Sequence, residues 1–250
     1  AALAGVRCSF EEPRTYVEAI LQGTFELLEA ARATPPEHLL LASTSSVYGA
    51  NKTMPYAETH KVDAQMSFYA ATKKANESMA HSYAHLYGLP VTMFRFFTVY
   101  GPWGRPDMAL FKFVKAILND DAIDVYNHGE MRRDFTYIDD LILSVQQLAD
   151  AIPATGSPVS EADSLSPVAP FRVVNIGKAK PDSLGDFISE IEAALGQPAK
   201  KNMMEMQPGD VPATWSDTSL LKALTGHTPG TELSEGIPEF VSWYKLYYGT

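Results

Sequence analysis

HLLLASTSSVYG, residues 38–49, is the stretch on which the fold turns. Residues 38–43 form a short continuous apolar run, as expected of a parallel strand covered on both faces. A loop of small and polar residues follows. Downstream, residues 67–87 carry a long helical pattern that stops at Gly88. Residues 90–97, PVTMFRFF, read as the next buried strand. Upstream, Tyr16, Val17, Ile20, Phe25, Leu27 and Leu28 recur with helical period after Pro13, and Pro35-Pro36 ends that helix. Helix, strand, helix, strand is the alternation of a doubly wound α/β sheet.

Beyond Gly101-Pro102-Trp103-Gly104 the pattern loosens. Residues 108–118 read as helix, 123–126 as strand, 134–138 as a short extended piece and 138–149 as helix. Residues 153–170 hold Pro, Ser, Ala and Thr with few large apolar groups and predict a surface loop. Residues 171–176 predict a strand, 183–195 an amphipathic helix ending at Gly196, and 234–248 an aromatic-rich helix. The expected division is a dinucleotide-binding part over 1–105 and a substrate lobe over 106–250, some of whose segments return to the first part.

The composition suits a core-forming soluble protein: 46% of the 250 residues are hydrophobic and 20% are charged. Twenty Lys and Arg against thirty Asp and Glu give a net charge of −10, which argues against nucleic acid as a partner. A local arginine cluster can still hold a small anion. The one cysteine, Cys8, allows no internal disulfide and excludes a cysteine-rich metal site. It fits a reducing compartment. No apolar run is long enough to span a membrane, so a cytoplasmic protein is expected.

The sharpest chemical signal is Tyr69-Ala70-Ala71-Thr72-Lys73. Tyr and Lys four apart share one helix face. A free phenol titrates near ~10, too high for a base at neutral pH, and an adjacent ammonium lowers it. Such a phenol can take a proton from a sugar hydroxyl while hydride leaves the neighbouring carbon. Alone, the pattern is weak evidence and is better described as a surface Lys beside a half-buried Tyr. Ser43-Thr44-Ser45-Ser46-Val47-Tyr48-Gly49 adds hydroxyls at the carboxyl end of a parallel strand, where open α/β sheets bind ligands. The next strand ends in Arg95-Phe96-Phe97-Thr98-Val99-Tyr100-Gly101-Pro102. Three polar clusters thus leave one edge of one sheet.

That order of motifs, continued by Gly104-Arg105-Pro106-Asp107-Met108 and by Arg132-Arg133-Asp134-Phe135-Thr136-Tyr137-Ile138-Asp139-Asp140, resembles the extended short-chain dehydrogenases that act on nucleotide sugars. GPWGRPDMALFKF (101–113) and MQPGDV (206–211) are similar to UDP-glucuronate 4-epimerases in particular. The likeness covers nearly the whole chain. It implies a Rossmann-like sheet with a smaller α/β C-terminal substrate lobe, NAD as cofactor, a UDP-sugar as substrate and a homodimer built on helices 15–32 and 67–87.

The resemblance places Thr44, Tyr69 and Lys73 in the catalytic triad: Tyr69 as base, Lys73 lowering its pKa and holding the nicotinamide ribose, Thr44 orienting the sugar oxygen. Ala42, Ser43 and Phe97 match positions around the cofactor. Arg7, Ser45, Ser46, Thr98, Arg105, Arg133 and Asp210 match substrate positions. Arg133 matches an arginine on the diphosphate, where a guanidinium fork suits two phosphate oxygens; a salt bridge to a neighbouring Asp is its plainer use. Dehydratase and decarboxylase relatives carry carboxylates beside the strand-end Thr. This chain has Ser45-Ser46 there, which favours oxidation at C4, rotation of the keto-sugar and return of hydride. A UDP-glucose 4-epimerase is the enzymatic alternative, and a non-catalytic binding fragment the alternative of another class.

Two departures stand out. No Gly-x-x-Gly-x-x-Gly turn occurs. The resemblance therefore implies that roughly ninety family residues, one mononucleotide-binding half, precede residue 1, and that this chain alone binds NAD weakly or not at all. Ile20 stands where the family usually has an Asn. His81 and His85 are four apart on a helix but lack a third ligand, so packing or an interface is expected rather than a metal.

Overall fold

The computed structural model describes residues 3–206 and 211–250. Its strands are β1 (Leu39–Ala42), β2 (Val91–Phe96), β3 (Thr98–Tyr100), β4 (Ala122–Tyr126), β5 (Arg132–Tyr137), β6 (Phe171–Ile176), β7 (Pro181–Ser183), β8 (Lys200–Met204) and β9 (Ala213–Thr214). Its α-helices are α1 (Cys8–Glu11), α2 (Pro13–Tyr16), α3 (Gly23–Ala33), α4 (Phe68–Tyr87), α5 (Ala109–Leu118), α6 (Ile138–Asp150), α7 (Leu184–Leu195), α8 (Ser219–Thr225) and α9 (Leu233–Tyr248). Two compact units result. One is Ala1–Phe96, Ser144–Ile176 and Asp217–His227; the other is Phe97–Leu143, Gly177–Ser216 and Thr228–Thr250.

The first unit is built on a parallel sheet of order β1-β2-β6, with Leu39 opposite Val91 and Val91 opposite Phe171. All of β6 is buried, and all of β2 except the half-buried Phe96. Both strands are largely apolar, as burial on both faces favours, and their buried polar residues Thr92, Arg95, Arg172 and Asn175 are each hydrogen-bonded. Leu41, Val91, Met93, Phe171 and Val173 pack with Leu28 of α3 and with Ala80 and Ala84 of α4. The small alanines let α4 lie close to the sheet. Ser67 caps α4 by accepting from the Ala70 N–H at 3.1 Å, and Gly88 ends it in the left-handed region at φ 67°.

The helix expected over 15–32 is interrupted. Between α2 and α3, residues Val17–Gln22 form a π-helix. A wider turn of this kind releases a main-chain carbonyl from the α pattern. Here Asn76 Nδ2 donates to the Ile20 carbonyl at 3.3 Å and to Thr24 Oγ1 at 2.7 Å. The loop 153–170 is exposed from 154 to 162 and then tied down. Arg172 Nε and Nη2 donate to Asp163 at 2.9 and 3.0 Å, and His81 Nε2 pairs with Ser166 Oγ at 2.8 Å.

In the second unit β5 is the hub. It pairs with β3 and β9 in parallel and with β7 antiparallel, and β4 and β8 form a separate parallel pair. Phe111 and Val114 of α5, Phe187 and Ile191 of α7, and Ile237 and Phe240 of α9 build its core. Strands β3, β7, β8 and β9 and helix α8 have no counterpart in the sequence reading. β8 (KKNMM) is exposed except for its half-buried last residue, so pairing rather than burial makes it a strand. No helix among the described residues is long and apolar enough to cross a membrane.

Candidate active site

β1 ends at Ala42, and the Ser43 N–H still donates to the Phe94 carbonyl at 2.8 Å. Thr44 is extended (φ −159°, ψ 149°) and its Oγ1 accepts from the Ser46 N–H at 3.2 Å, capping the 3-10 turn Ser45–Tyr48. That use takes a lone pair of Thr44 and keeps the hydroxyl hydrogen for another acceptor. Gly49 closes the turn at φ 55°; any Cβ there would overlap the Ala64 carbonyl. Ser45 and Ser46 sit half-buried on this turn.

Tyr69, Lys73 and Glu77 recur every fourth residue along α4, and all three are buried. Lys73 Nζ donates to the Ala42 carbonyl at 3.0 Å. Burial pulls the Lys73 pKa below its ordinary value. Tyr69 packs with Tyr16 and Ile20, its ring edge-on to Tyr16 at 6.2 Å and 82°. Its N–H, one of the orphan donors of a helix's first turn, goes to Ser9 Oγ at 3.2 Å. Ile20 is 1% exposed, so the residue that departs from the family's Asn has become part of the apolar seat of Tyr69.

Glu77 and Arg95 escaped the sequence reading. Glu77 accepts from Ser43 Oγ at 2.7 Å, from Arg95 Nε and Nη2 at 2.9 and 2.8 Å, and from Lys74 Nζ at 3.3 Å. Desolvation alone would raise the Glu77 pKa, but the donors from Arg95, Lys74 and Ser43 outweigh it and hold the carboxyl below its usual value. The Arg95 guanidinium lies 4.8 Å over the Tyr48 ring. Tyr48 donates to Asn175 Oδ1 at 2.7 Å, and the Asn175 N–H donates to Glu58 at 2.8 Å. Burial pushes Glu58 up to about 7. The only signal for Glu77 in the sequence was its fourth-residue spacing after Lys73. For Arg95 there was its place at a strand end.

The remaining assigned residues lie at known places. Ala42 is exposed at the end of β1, and Arg7 is exposed just before α1. In the second unit Phe97 is buried just before β3, and Thr98 opens β3 opposite Phe135 of β5. Arg105 clasps Asp107 with Nε at 3.0 Å and Nη2 at 2.5 Å, which holds the Asp107 pKa down. Arg133 Nη1 donates to the carbonyls of Arg132 (2.8 Å) and Pro212 (3.5 Å). Asp210 lies outside the described residues. Beside Arg133 the fully buried Asp134 collects five donors: the N–H groups of Lys178 (2.6 Å), Ala179 (3.1 Å) and Ser216 (3.1 Å), Ser216 Oγ (2.6 Å) and Thr136 Oγ1 (3.2 Å). His85 Nδ1 lies 2.8 Å from the Val168 carbonyl, so both histidines of the helical pair face the 163–169 segment. No group of three or more His, Cys, Asp or Glu that could hold a metal occurs among the described residues.

The sequence matches the NAD dependent epimerase/dehydratase family over residues 1–157. A probable UDP-glucuronate 4-epimerase of Rhizobium meliloti (strain 1021) is 55% identical over 251 residues, covering 99% of this chain and 74% of that protein. Protein CapI of Staphylococcus aureus is 50% identical, with 99% and 75% covered. The crystal structure of UDP-glucuronic acid 4-epimerase from Bacillus cereus, in complex with UDP-glucuronic acid and NAD, superposes with a TM-score of 0.86 at 32% identity, covering 99% of this chain and 74% of that one. With the strand-end hydroxyls and the Tyr69–Lys73 face in place, these likenesses put the chain in the NAD dependent epimerase/dehydratase family.

Proposed function

We propose that this protein is a nucleotide-sugar epimerase that interconverts UDP-glucuronate and UDP-galacturonate through a transient 4-keto sugar. One observation carries the chemistry. A buried lysine is tied to the end of a parallel strand, one helical turn beyond a buried tyrosine on the same face. The names of the relatives at 55% and 32% identity support the substrate.

The residues present fit the nicotinamide-ribose end of NAD; the glycine turn that would hold its pyrophosphate does not occur in these 250 residues. Lys73 carries three donors, so a ribose hydroxyl can share the ammonium with the Ala42 carbonyl. Ala42 and Ser43 form the strand end beside it, and Phe97 is assigned to the nicotinamide surroundings. When bound, NAD supplies a reversible hydride acceptor. Tyr69 takes the proton of the C4 hydroxyl, helped by the positive charge of Lys73, which favours phenolate. The Thr44 hydroxyl hydrogen donates to the sugar oxygen and keeps it oriented. After the keto-sugar turns over, the hydride would return to the other face of C4 while Tyr69 gives the proton back to the oxygen, so the opposite C4 configuration results.

A C4 ketone makes the C5 carboxylate a β-keto acid, which tends to lose carbon dioxide. Ser45 and Ser46 are neutral donors suited to hold that carboxylate out of line with the carbonyl π system. Thr98 and Arg105 are assigned to the same group, Arg133 to the diphosphate, Asp210 to the nucleotide ribose, and Arg7 to the substrate. We also assign a cytoplasmic homodimer, supported by the exposed apolar side chains of Phe25 and Leu27 on α3 and Leu86 on α4. Light scattering of the purified protein checks the dimer.

Turnover of UDP-glucuronate by the NAD-loaded enzyme tests the function. UDP-galacturonate should form, and Tyr69→Phe should lower kcat by at least about 10²-fold. Release of a UDP-pentose, or full turnover by Tyr69→Phe, overturns the proposal.

A further inference from the structure

We propose that Glu77 is a positioning residue for the catalytic pair, locking the reactive face of α4 to the end of β1. The inference rests on the reading of Tyr69 and Lys73 as that pair.

Two side chains one helical turn apart on α4 grip two consecutive residues of the strand end. Lys73 Nζ holds the Ala42 carbonyl at 3.0 Å, and Glu77 holds the Ser43 hydroxyl at 2.7 Å. The next residue along that strand is Thr44. Two rungs between a helix and a strand fix rotation of the helix about its axis as well as its height along the strand; one rung fixes neither. The Lys73 rung is also the rung that chemistry disturbs, because its ammonium is to be shared with cofactor and phenolate. The Glu77 rung touches neither and can stay in place through the cycle.

Glu77 is itself held from a second strand. Arg95 of β2 grips both carboxylate oxygens at 2.9 and 2.8 Å, with both side chains 2% exposed. The Arg95 guanidinium lies over the ring of Tyr48, the last residue of the turn that carries Ser45 and Ser46. The ends of β1 and β2, the Ser45–Tyr48 turn and the catalytic face of α4 thereby share one carboxylate.

The test is steady-state kinetics of the NAD-loaded enzyme on UDP-glucuronate, with kcat normalised to the folded fraction. Ser43→Ala removes the rung and leaves the buried ion pair intact. It should lower kcat about tenfold with KM within about twofold, since misplacement by a fraction of an ångström suffices for such a loss. Glu77→Gln leaves an acceptor for Ser43 but takes away the charge that Arg95 and Lys74 hold, which frees the carboxamide to move, and should lower kcat by at least as much. The losses in the double variant Ser43→Ala/Glu77→Gln should be less than additive, because both act on the same helix–strand contact. Ser43→Thr, which keeps the hydroxyl, should restore kcat to within about threefold. If Glu77→Gln does not fold, the Ser43→Ala and Ser43→Thr pair decides. Unchanged kcat in Ser43→Ala, or a loss that Ser43→Thr does not relieve, overturns the positioning role. Tyr69→Phe separates the two readings. Its loss of turnover beside a normal Ser43→Ala rejects only the positioning role, and its normal turnover rejects the catalytic assignment itself.

Discussion

Lys73 Nζ donates to the carbonyl oxygen of Ala42 at 3.0 Å, and no carboxylate pairs with this buried ammonium among the ion pairs of the described residues. A lysine at such a site is costly to keep charged, and its pKa is accordingly drawn down by burial. The charged form is disfavoured on folding, so the penalty is full below the folded pKa and vanishes above the ordinary lysine value.

Lys73→Met should separate stability from turnover. The variant keeps the length of the chain, removes the buried charge and should melt no lower than the parent at pH 7. Its kcat should fall by at least about 10²-fold, since the phenol loses its stabilising cation. Parallel melting curves and turnover assays check this; a large drop in melting temperature would show that Lys73 is chiefly structural.

Glu58 should make stability depend on pH near neutrality. Burial raises its pKa from 4.5 to about 7, so the protonated form is favoured on folding. The contribution is fully present below about 4.5 and is lost as pH rises through about 7. Between about pH 5 and 6.5 the parent should lose stability relative to Glu58→Gln with a slope approaching ~1.4 kcal/mol per pH unit, levelling off above about 7. Gln keeps an acceptor for the Asn175 N–H, which donates to Glu58 at 2.8 Å. Denaturant titrations of both proteins at several pH values measure the difference, and parallel curves would count against it.

Asp134→Ala should be among the most damaging single substitutions in the second unit. Five donors converge on this fully buried carboxylate from β5, from the turn after Gly177 and from Ser216. Leaving several of them unpaired should cost roughly 3–5 kcal/mol. Gly177→Ala should damage the same centre, because a Cβ there would lie 2.6 Å from Asp134 Oδ2. Chemical denaturation of the two variants tests both statements; a loss under ~1 kcal/mol for Asp134→Ala would reject the first.

Arg105 should read the substrate's charge. Its guanidinium is bidentate on the exposed Asp107, an arrangement that a substrate carboxylate can replace with equal geometry. Arg105→Met should raise KM for UDP-glucuronate by about tenfold or more and leave UDP-glucose binding nearly unchanged, the loss of one charge-assisted contact being worth ~1.5–3 kcal/mol. Equal effects on the two ligands would remove Arg105 from the carboxylate.

The local sequence determined whatever local physics determines. The apolar run 38–43 became a parallel strand, but as the end strand of its sheet, with Leu41 alone of β1 buried rather than covered on both faces as expected; Ser67 and Gly88 had to bound α4, and the spacing of Tyr69 and Lys73 had to place both on one face. Side chains i and i+4 meet whenever a helix forms, so that part of the candidate site was legible without coordinates. The strand β8 was not legible, because its Lys200, Lys201 and Asn202 are exposed and it exists only through pairing with β4. Nor was the anchoring of the loop 153–170, where Asp163 meets Arg172 across nine residues of chain. The same holds for the partners of Glu77. Ser43 lies 34 positions before it and Arg95 18 after, and no periodicity links them. Tertiary structure alone decided that network. A buried ion pair is stable only where packing excludes water and aligns every donor at once, and sequence spacing encodes neither condition.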